Sequence, residues 1–117
     1  GTGDGLGTTL NFPLEAFSGD LIYLDIIENK LIPVIQNFKP DLIIISAGFD
    51  AHEDDPLGQM NISSDGYREM TSMILKLAEE VCGGRLLSML EGGYNHEALA
   101  DSVLNHVDTL LGLNGQA

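Results

Sequence analysis

The alternation of apolar and polar stretches along the chain predicts three strands that alternate with three helices. Short apolar or β-branched runs without a helical period predict strands at residues 8–14, 41–46 and 85–90. Apolar side chains that recur every three or four positions predict helices at residues 19–38, 64–82 and 96–111. This order is typical of an α/β fold with a parallel sheet, flanking helices and right-handed crossovers.

Single residues refine the bounds of the first two helices. Ser18 is a candidate N-cap for the first helix, and Ser63 or Ser64 for the second. Pro33 should kink or break the first helix near Leu31, because proline removes a backbone hydrogen bond.

The strand at residues 41–46 carries an unbroken apolar run instead of an alternating one. Such a run predicts burial on both faces, as in the middle of a parallel sheet.

Composition and charge narrow the class of protein. The chain has 117 residues, 44% of them hydrophobic and 20% charged, which is ordinary for one globular domain over residues 1–117. Five basic residues face 18 acidic ones, for a net charge of −13, which argues against nucleic acid as a partner. No apolar run is long enough for a membrane span, and no signal-peptide pattern is present. The chain begins with Gly1, which favours a processed protein or a piece of a longer one.

Cysteine usage predicts the redox setting. Cys82 is the only cysteine, so the sequence offers no disulfide framework. Cys82 is expected to be a small buried hydrophobic residue at the end of a helix. A cytoplasmic location fits this pattern.

Two loops that follow predicted strands carry most of the functional groups. Residues 47–58, AGFDAHEDDPLG, follow the second strand, and residues 91–95, EGGYN, follow the third. Ligands of open α/β sheets bind beyond the carboxyl ends of the strands. The sequence therefore predicts a site formed by these two loops.

Asp50 is the first acidic residue of the first loop, four positions beyond the apolar strand. Its carboxylate could bind a metal, act as a general base, or cap the following turn, and spacing alone leaves these roles open. His52 could add a nitrogen ligand, although a surface histidine is favoured. Asp54 and Asp55, before Pro56, are typical turn acids.

The second loop centres on Tyr94. Gly92 and Gly93 precede it and allow the backbone to approach a ligand closely. The phenol could donate a hydrogen bond to a developing oxyanion, and an ordinary half-buried tyrosine is the alternative. His96 and His106, at either end of the last helix, are expected at the surface.

These motifs together resemble the zinc-dependent histone deacetylase superfamily, above all its class II and acetoin-utilisation-type branch. The resemblance covers nearly the whole chain, in matching order and spacing, through five stretches: GTGD at 1–4, TLNFPL at 9–14, SAGFDAHEDDPLG at 46–58, ISSDGY at 62–67 and LEGGYN at 90–95. It implies the arginase–deacetylase α/β fold. It also implies hydrolysis of the acetamide of acetyl-lysine or a related acetylated amine, with a zinc ion that polarises the carbonyl and activates water.

The resemblance also implies roles for five residues of this sequence. Asp50 would be one of three zinc ligands. Tyr94 would hydrogen-bond the substrate carbonyl and the oxyanion that forms from it. Leu57 would line the acyl-lysine tunnel, and Gly92 and Gly93 would form part of its wall.

The sequence lacks the other catalytic groups that the resemblance leads us to expect, namely two zinc ligands and a pair of histidines. The family's other two zinc ligands, in an Asp-x-His motif, and its His-His pair should precede Gly1, and His52, His96 and His106 do not form these motifs. The chain is therefore expected to be the C-terminal portion of a deacetylase domain. Alone it should be inactive, and it should associate with itself or with the missing N-terminal part. A non-catalytic binding module and an arginase-like two-metal hydrolase are the alternatives.

Overall fold

Residues 1–112 of a computed structural model are described here, and they alternate between helices and two short strands. The predicted domain covers residues 1–117, and its last five residues, 113–117, lie outside the described part. The elements, in order, are a 3₁₀ turn at Gly3–Gly5, α1 at Asp20–Ile26, a π-helical turn at Ile27–Leu31, α2 at Ile32–Phe38, β1 at Ile43–Ala47, α3 at Ser64–Cys82, β2 at Leu86–Leu90 and α4 at His96–Leu110.

The two strands form a parallel pair, with Ile43 opposite Leu86 and Ala47 opposite Leu90. Helix α3 makes the crossover between them, so both strands point the same way and end at one edge. Backbone bonds continue past that edge, since the Phe49 amide donates to the Gly92 carbonyl at 2.8 Å. The prediction of an α/β fold whose two loops leave the sheet together is confirmed.

The predicted first strand, residues 8–14, is wrong. This segment has no regular secondary structure and no strand pairing within residues 1–112. Pro13 cannot donate to a ladder, and Leu10 is half exposed. Phe12 and Leu14 instead border a cleft together with Met60, so the segment lies against side chains of other elements without joining a sheet.

The first helical region shows how proline is accommodated. Pro33 falls in the first turn of α2, and the helix widens to a π-helical turn that ends at Leu31. A proline has no N–H for the preceding turn, and the helix becomes irregular near Leu31, where a kink or break was predicted, but it continues without a gap. The predicted cap is wrong: Gly19 is the N-cap of α1, and the Ser18 hydroxyl donates to the Glu15 carbonyl.

Helix α3 begins at a capped N-terminus that also binds α1. Ser63 Oγ accepts from the Gly66 amide at 2.9 Å, which confirms it as the N-cap. The same hydroxyl donates to Asp20 Oδ2 at 2.6 Å, and the Ser63 amide donates to Asp20 Oδ1 at 2.8 Å. Asp20 thereby ties the first turn of α1 to the first turn of α3.

The end of α3 is also as predicted. Gly83 takes a left-handed conformation, with φ of 62°, and stops the helix. Cys82, directly before it, is buried, with 3% of its surface exposed.

The core lies on one face of the sheet. Ala47, Phe49, Ile62 and Tyr67 form a buried cluster, and Ile45 packs against it. The other face, which carries Ile44, Leu87 and Met89, stays about half exposed within residues 1–112, as the relative exposures of 55%, 48% and 48% show. The prediction that β1 is buried on both faces is therefore wrong for the described chain, because α3 and α4 cover only one side. None of the helices within residues 1–112 is long and apolar enough to cross a membrane.

Candidate functional site

Asp50 lies in the turn that follows β1, and glycines surround it. A Cβ added to Gly92 would stand 2.7 Å from Asp50 Oδ2, and one added to Gly48 would stand 3.0 Å from Asp50 Oδ1. A Cβ on Gly58 would overlap the Asp50 carbonyl oxygen. Glycine thus stands at three positions where a side chain would crowd this carboxylate or its backbone.

The negative charge of Asp50 affects the pKa values of two tyrosines. Burial raises the pKa of Tyr67, and the negative charge of Asp50 raises it further. The pKa of Tyr23 is raised by the same two causes in the same order. Both phenols therefore stay protonated and neutral beside the carboxylate at ordinary pH.

Asp55 organises the second half of the same loop. Its Oδ1 accepts from the amides of Leu57 at 2.8 Å and Gly58 at 3.0 Å, as a turn aspartate does. Its Oδ2 accepts from the Tyr94 amide at 2.8 Å. Asp55 is thus a turn acid, as predicted, and it is also a bond between the two loops.

The Tyr94 loop is anchored on both sides. Gly93 has φ of 143°, and a Cβ there would stand 2.7 Å from Leu99 Cδ1, so the position requires glycine. Asn95 caps α4 through its side-chain oxygen, and its Nδ2 donates to the Asp54 carbonyl at 3.1 Å. The Tyr94 residue is 54% exposed. The loop therefore presents this residue to solvent in the described part of the chain.

His52 does not lie at the surface, as had been predicted. It is 5% exposed, with Nε2 at 3.0 Å from Ser64 Oγ. Its Nδ1 accepts from the Asp54 amide at 3.0 Å. Both ring nitrogens are engaged within the protein, so His52 fixes the shape of the loop and is not positioned as a ligand.

The prediction for His106 is also wrong. It is 7% exposed, and burial lowers its pKa. The Thr71 hydroxyl donates to the Tyr67 carbonyl, so it accepts from His106 Nδ1 at 2.7 Å. Burial favours the neutral ring, and in that form Nε2 accepts from the Ser88 hydroxyl at 2.8 Å.

A helical-period signal could have found His106, since Leu99, Val103 and His106 share one face of α4. His96 is exposed, as predicted.

The donor set does not make a complete zinc site. Among residues 1–112, no three His, Cys, Asp or Glu side chains are close enough to hold a metal ion together. Catalytic zinc takes three protein ligands, and Asp50 can give one oxygen at this strand end. The described residues therefore do not fit a zinc ion by themselves.

An apolar cavity of about 250 Å³ lies close to the site but is not part of it. None of the five predicted site residues lines it, and its walls belong mainly to the core: Tyr23, Ile45, Phe49, Tyr67, Met70 and His106. The predicted site is instead an open surface at the ends of β1 and β2. The structure brings Asp50 and Gly92 together there, and joins Leu57 to Tyr94 through Asp55.

Comparison with known proteins identifies the family. The family model of the histone deacetylase domain matches residues 1–110, so the chain belongs to the histone deacetylase domain family. The chain is 47% identical over 112 residues to "Histone deacetylase 14, chloroplastic" of Arabidopsis thaliana, a match that covers 96% of the chain and 26% of that protein. It is 44% identical over 97 residues to a "Probable deacetylase" of Archaeoglobus fulgidus, covering 83% and 27%. It is 41% identical over 113 residues to "Polyamine deacetylase HDAC10" of Homo sapiens, covering 96% and 16%.

Solved structures agree with this assignment. The histone deacetylase Clr3 superimposes with a TM-score of 0.88 at 38% identity, over 97% of this chain and 18% of that one. The HD domain of HDA15 gives 0.77 at 38% identity, over 85% and 27%. The predicted arginase–deacetylase fold is therefore confirmed. The chain spans 26%, 27% and 16% of the length of these three curated relatives.

Proposed function

We propose that this chain is the C-terminal portion of a zinc-dependent deacetylase domain that hydrolyses the acetamide of acetyl-lysine or a related acetylated amine. The observation that carries the proposal is the position of Asp50. Its carboxylate lies against Gly92 where β1 and β2 end together, in a chain that belongs to the histone deacetylase family. This is the edge at which parallel sheets bind ligands.

Five residues have roles in this proposal. Asp50 supplies one oxygen ligand to zinc. Tyr94 donates a hydrogen bond from its phenol to the substrate carbonyl and to the oxyanion that forms from it. Leu57 lines the acyl-lysine tunnel, with Gly92 and Gly93 in its wall. The exposure of Leu57 and Tyr94, 66% and 54%, supports their contact with a ligand.

The chain by itself is proposed to be inactive. One carboxylate does not hold catalytic zinc, so the other two ligands and the general-base histidines must come from another part of the domain. That part would also cover the exposed face of the sheet. The proposal therefore includes pairing with the N-terminal part of the domain, or self-association in its absence.

The substrate class is an acetylated amine. The name of the human relative describes a polyamine deacetylase, and the net charge of −13 on this chain attracts cationic amines. Acetyl-lysine and acetylpolyamines share the acetamide that the site would hydrolyse. No nucleic acid or membrane is required. The cytoplasmic location stays a prediction, since two relatives are described as chloroplastic.

The test uses the complete product of the gene that encodes this chain. Zinc content and hydrolysis of an acetyl-lysine peptide are measured for the unsubstituted protein, for Asp50→Ala, and for Asp54→Ala as the matched control. Asp54 is an exposed acid of the same loop. Asp50→Ala should abolish zinc binding and hydrolysis, while Asp54→Ala should retain both. Full activity of Asp50→Ala would refute the proposal.

The second candidate is a non-catalytic module with the deacetylase fold. The observation that favours it is the single metal ligand that the described residues offer at the strand end. It predicts that the complete gene product binds no stoichiometric zinc and does not hydrolyse an acetyl-lysine peptide. The same measurement therefore distinguishes the two candidates.

A further inference from the structure

A single carboxylate connects the two loops of the candidate site. Asp55 Oδ1 accepts two amides of its own turn, those of Leu57 and Gly58. Asp55 Oδ2 accepts the Tyr94 amide, which lies 39 positions further along the chain. Each oxygen thus serves a different loop, and the carboxylate spans the gap between them.

The Tyr94 backbone depends on such a bond. Gly92 and Gly93 precede it, and glycine has more backbone freedom to lose than any other residue. Tyr94 lies after the end of β2 and before the start of α4, so neither a sheet ladder nor a helix holds its amide. The bond to Asp55 fixes an orientation that the local sequence leaves free.

We propose that Asp55 is a positioning residue of the deacetylase reaction. It holds the Tyr94 phenol at a fixed place relative to Leu57, the residue proposed to line the acyl-lysine tunnel. The inference rests on the proposed function, in which Tyr94 contacts the substrate. Asp55 itself touches neither substrate nor metal in this arrangement; it acts through the Tyr94 backbone.

The charge of Asp55 is maintained by the amides it binds. Burial alone would raise its pKa, but the backbone N–H groups of Tyr94, Leu57, Gly58 and Asn95 together lower it below the usual aspartate value. A carboxylate accepts stronger hydrogen bonds than a neutral group does. Asp55 is therefore ionised throughout the neutral range, where the bond to Tyr94 is needed.

The variant Asp55→Asn separates the two functions of the carboxylate. The amide keeps one oxygen, which can still accept from Leu57 and Gly58 as in other turns of this kind. The other side becomes an NH₂ group that faces the Tyr94 N–H, donor against donor. Asp54→Asn is the matched control, because within residues 1–112 the Asp54 carboxylate makes no hydrogen bond, although its carbonyl accepts from Asn95.

The first measurement is amide hydrogen exchange on the ¹⁵N-labelled 117-residue chain, which needs no activity. In Asp55→Asn the Tyr94 amide should exchange about tenfold faster, while Leu57 and Gly58 change little. Asp54→Asn should leave all three rates unchanged. An unchanged Tyr94 rate in Asp55→Asn would overturn the inference. If Asp55→Asn does not fold by circular dichroism, Asp55→Ser replaces it, because serine keeps the local turn bond but is too short to reach Tyr94.

The second measurement is a double-mutant cycle in the complete gene product. Asp55→Asn should lower kcat about tenfold with little change in KM, since it loosens a group that acts in the transition state. In a Tyr94→Phe background, Asp55→Asn should have no further effect, because the phenol it positions is gone. Equal effects of Asp55→Asn in both backgrounds would overturn the positioning role.

The two proposals fail in different ways. If Tyr94→Phe alone retains the full kcat, the proposed role of Tyr94 is refuted, and the catalytic consequence of Asp55 with it. If Tyr94→Phe lowers kcat and Asp55→Asn does not, the proposed function stands and the Asp55 inference is refuted.

Discussion

At the scale of single residues, His106 shows how a titratable side chain is built into the core. Its ring lies edge-on to Phe49, with 5.7 Å between ring centroids, and both nitrogens bind hydroxyls of other elements. The neutral form satisfies every partner. Protonation would place a charge in a buried site and would require Ser88 to turn its lone pair toward Nε2.

This arrangement predicts a pH dependence of stability. The folded pKa of His106 is lowered by burial from its ordinary value of 6.5, so the unfolded chain takes up the proton first as the pH falls. The contribution of His106 should be fully present above pH 6.5 and decline as the pH falls toward the folded pKa. Urea denaturation at several pH values measures it, and His106→Gln should flatten the dependence in this range. An equal slope in both proteins would contradict the prediction.

At the scale of elements, the N-terminus of α3 is hydrogen-bonded to the first turn of α1. Ser63 caps α3 and at the same time binds Asp20 of α1 through its hydroxyl and its amide. Gly66 completes the contact, because a Cβ at this position would overlap the Asp20 carboxylate. A change at the cap therefore affects two helices.

Replacement of Ser63 by alanine should accordingly be costly. Loss of an N-cap costs about 1 kcal/mol, and the Asp20 oxygen left without its donor adds to that, so we expect a decrease of about 1–3 kcal/mol in the free energy of unfolding. Ser72→Ala, in the middle of the same helix, is the control and should change stability by less than about 0.5 kcal/mol. Equilibrium urea denaturation measures this decrease in the free energy of unfolding. Equal stabilities of Ser63→Ala and Ser72→Ala would contradict the proposed role of Ser63 in both helices.

Most elements could be predicted from the sequence because their signals are local. Helix α3 carries its own cap and its own C-terminal glycine, and the structure begins and ends it as predicted, at Ser64 and Cys82. The two strands follow from apolar runs bounded by turn residues, at Ile43–Ala47 and Leu86–Leu90. The meeting of two loops at one sheet edge also followed, since parallel strands end on the same side.

Apart from the misplaced N-cap of α1, most of the wrong predictions concern residues whose partners lie far away along the chain. Residues 8–14 have the composition of a strand, but composition does not reveal whether a neighbouring strand is there to pair with. His52 and His106 are buried because Ser64, Thr71 and Ser88 approach them from other elements. The bond from Asp55 to Tyr94 was missed for the same reason, since each residue belongs to its own turn.

At the scale of the whole molecule, the described chain has one covered and one uncovered sheet face. Ile44, Leu87 and Met89 point away from α3 and α4. Sheets built from parallel strands are normally covered on both faces. The net charge of −13 opposes association through this face at low salt, and salt screens that repulsion.

We therefore expect the isolated chain to self-associate at high concentration and moderate salt. Light scattering should give a mass above that of one chain, and Leu87→Lys should return it to one chain by placing a charge on the uncovered face. Leu21→Lys, on α1, is the control and should not change the mass, although Leu21 is more exposed, at 84% against 48%. A clean monomer at high concentration would contradict the prediction.

The reactivity of the buried Cys82 thiol can report local opening between α3 and β2. Cys82 is the only cysteine in the chain, and its sulfur lies 3.3 Å from the carbonyl oxygens of both Ala78 and Arg85, at the junction of α3 with β2. A thiol reagent can reach it only when that junction separates. The rate of labelling therefore follows the opening of the crossover, with no engineered probe, and a partner that covers the sheet should slow the reaction without touching the sulfur.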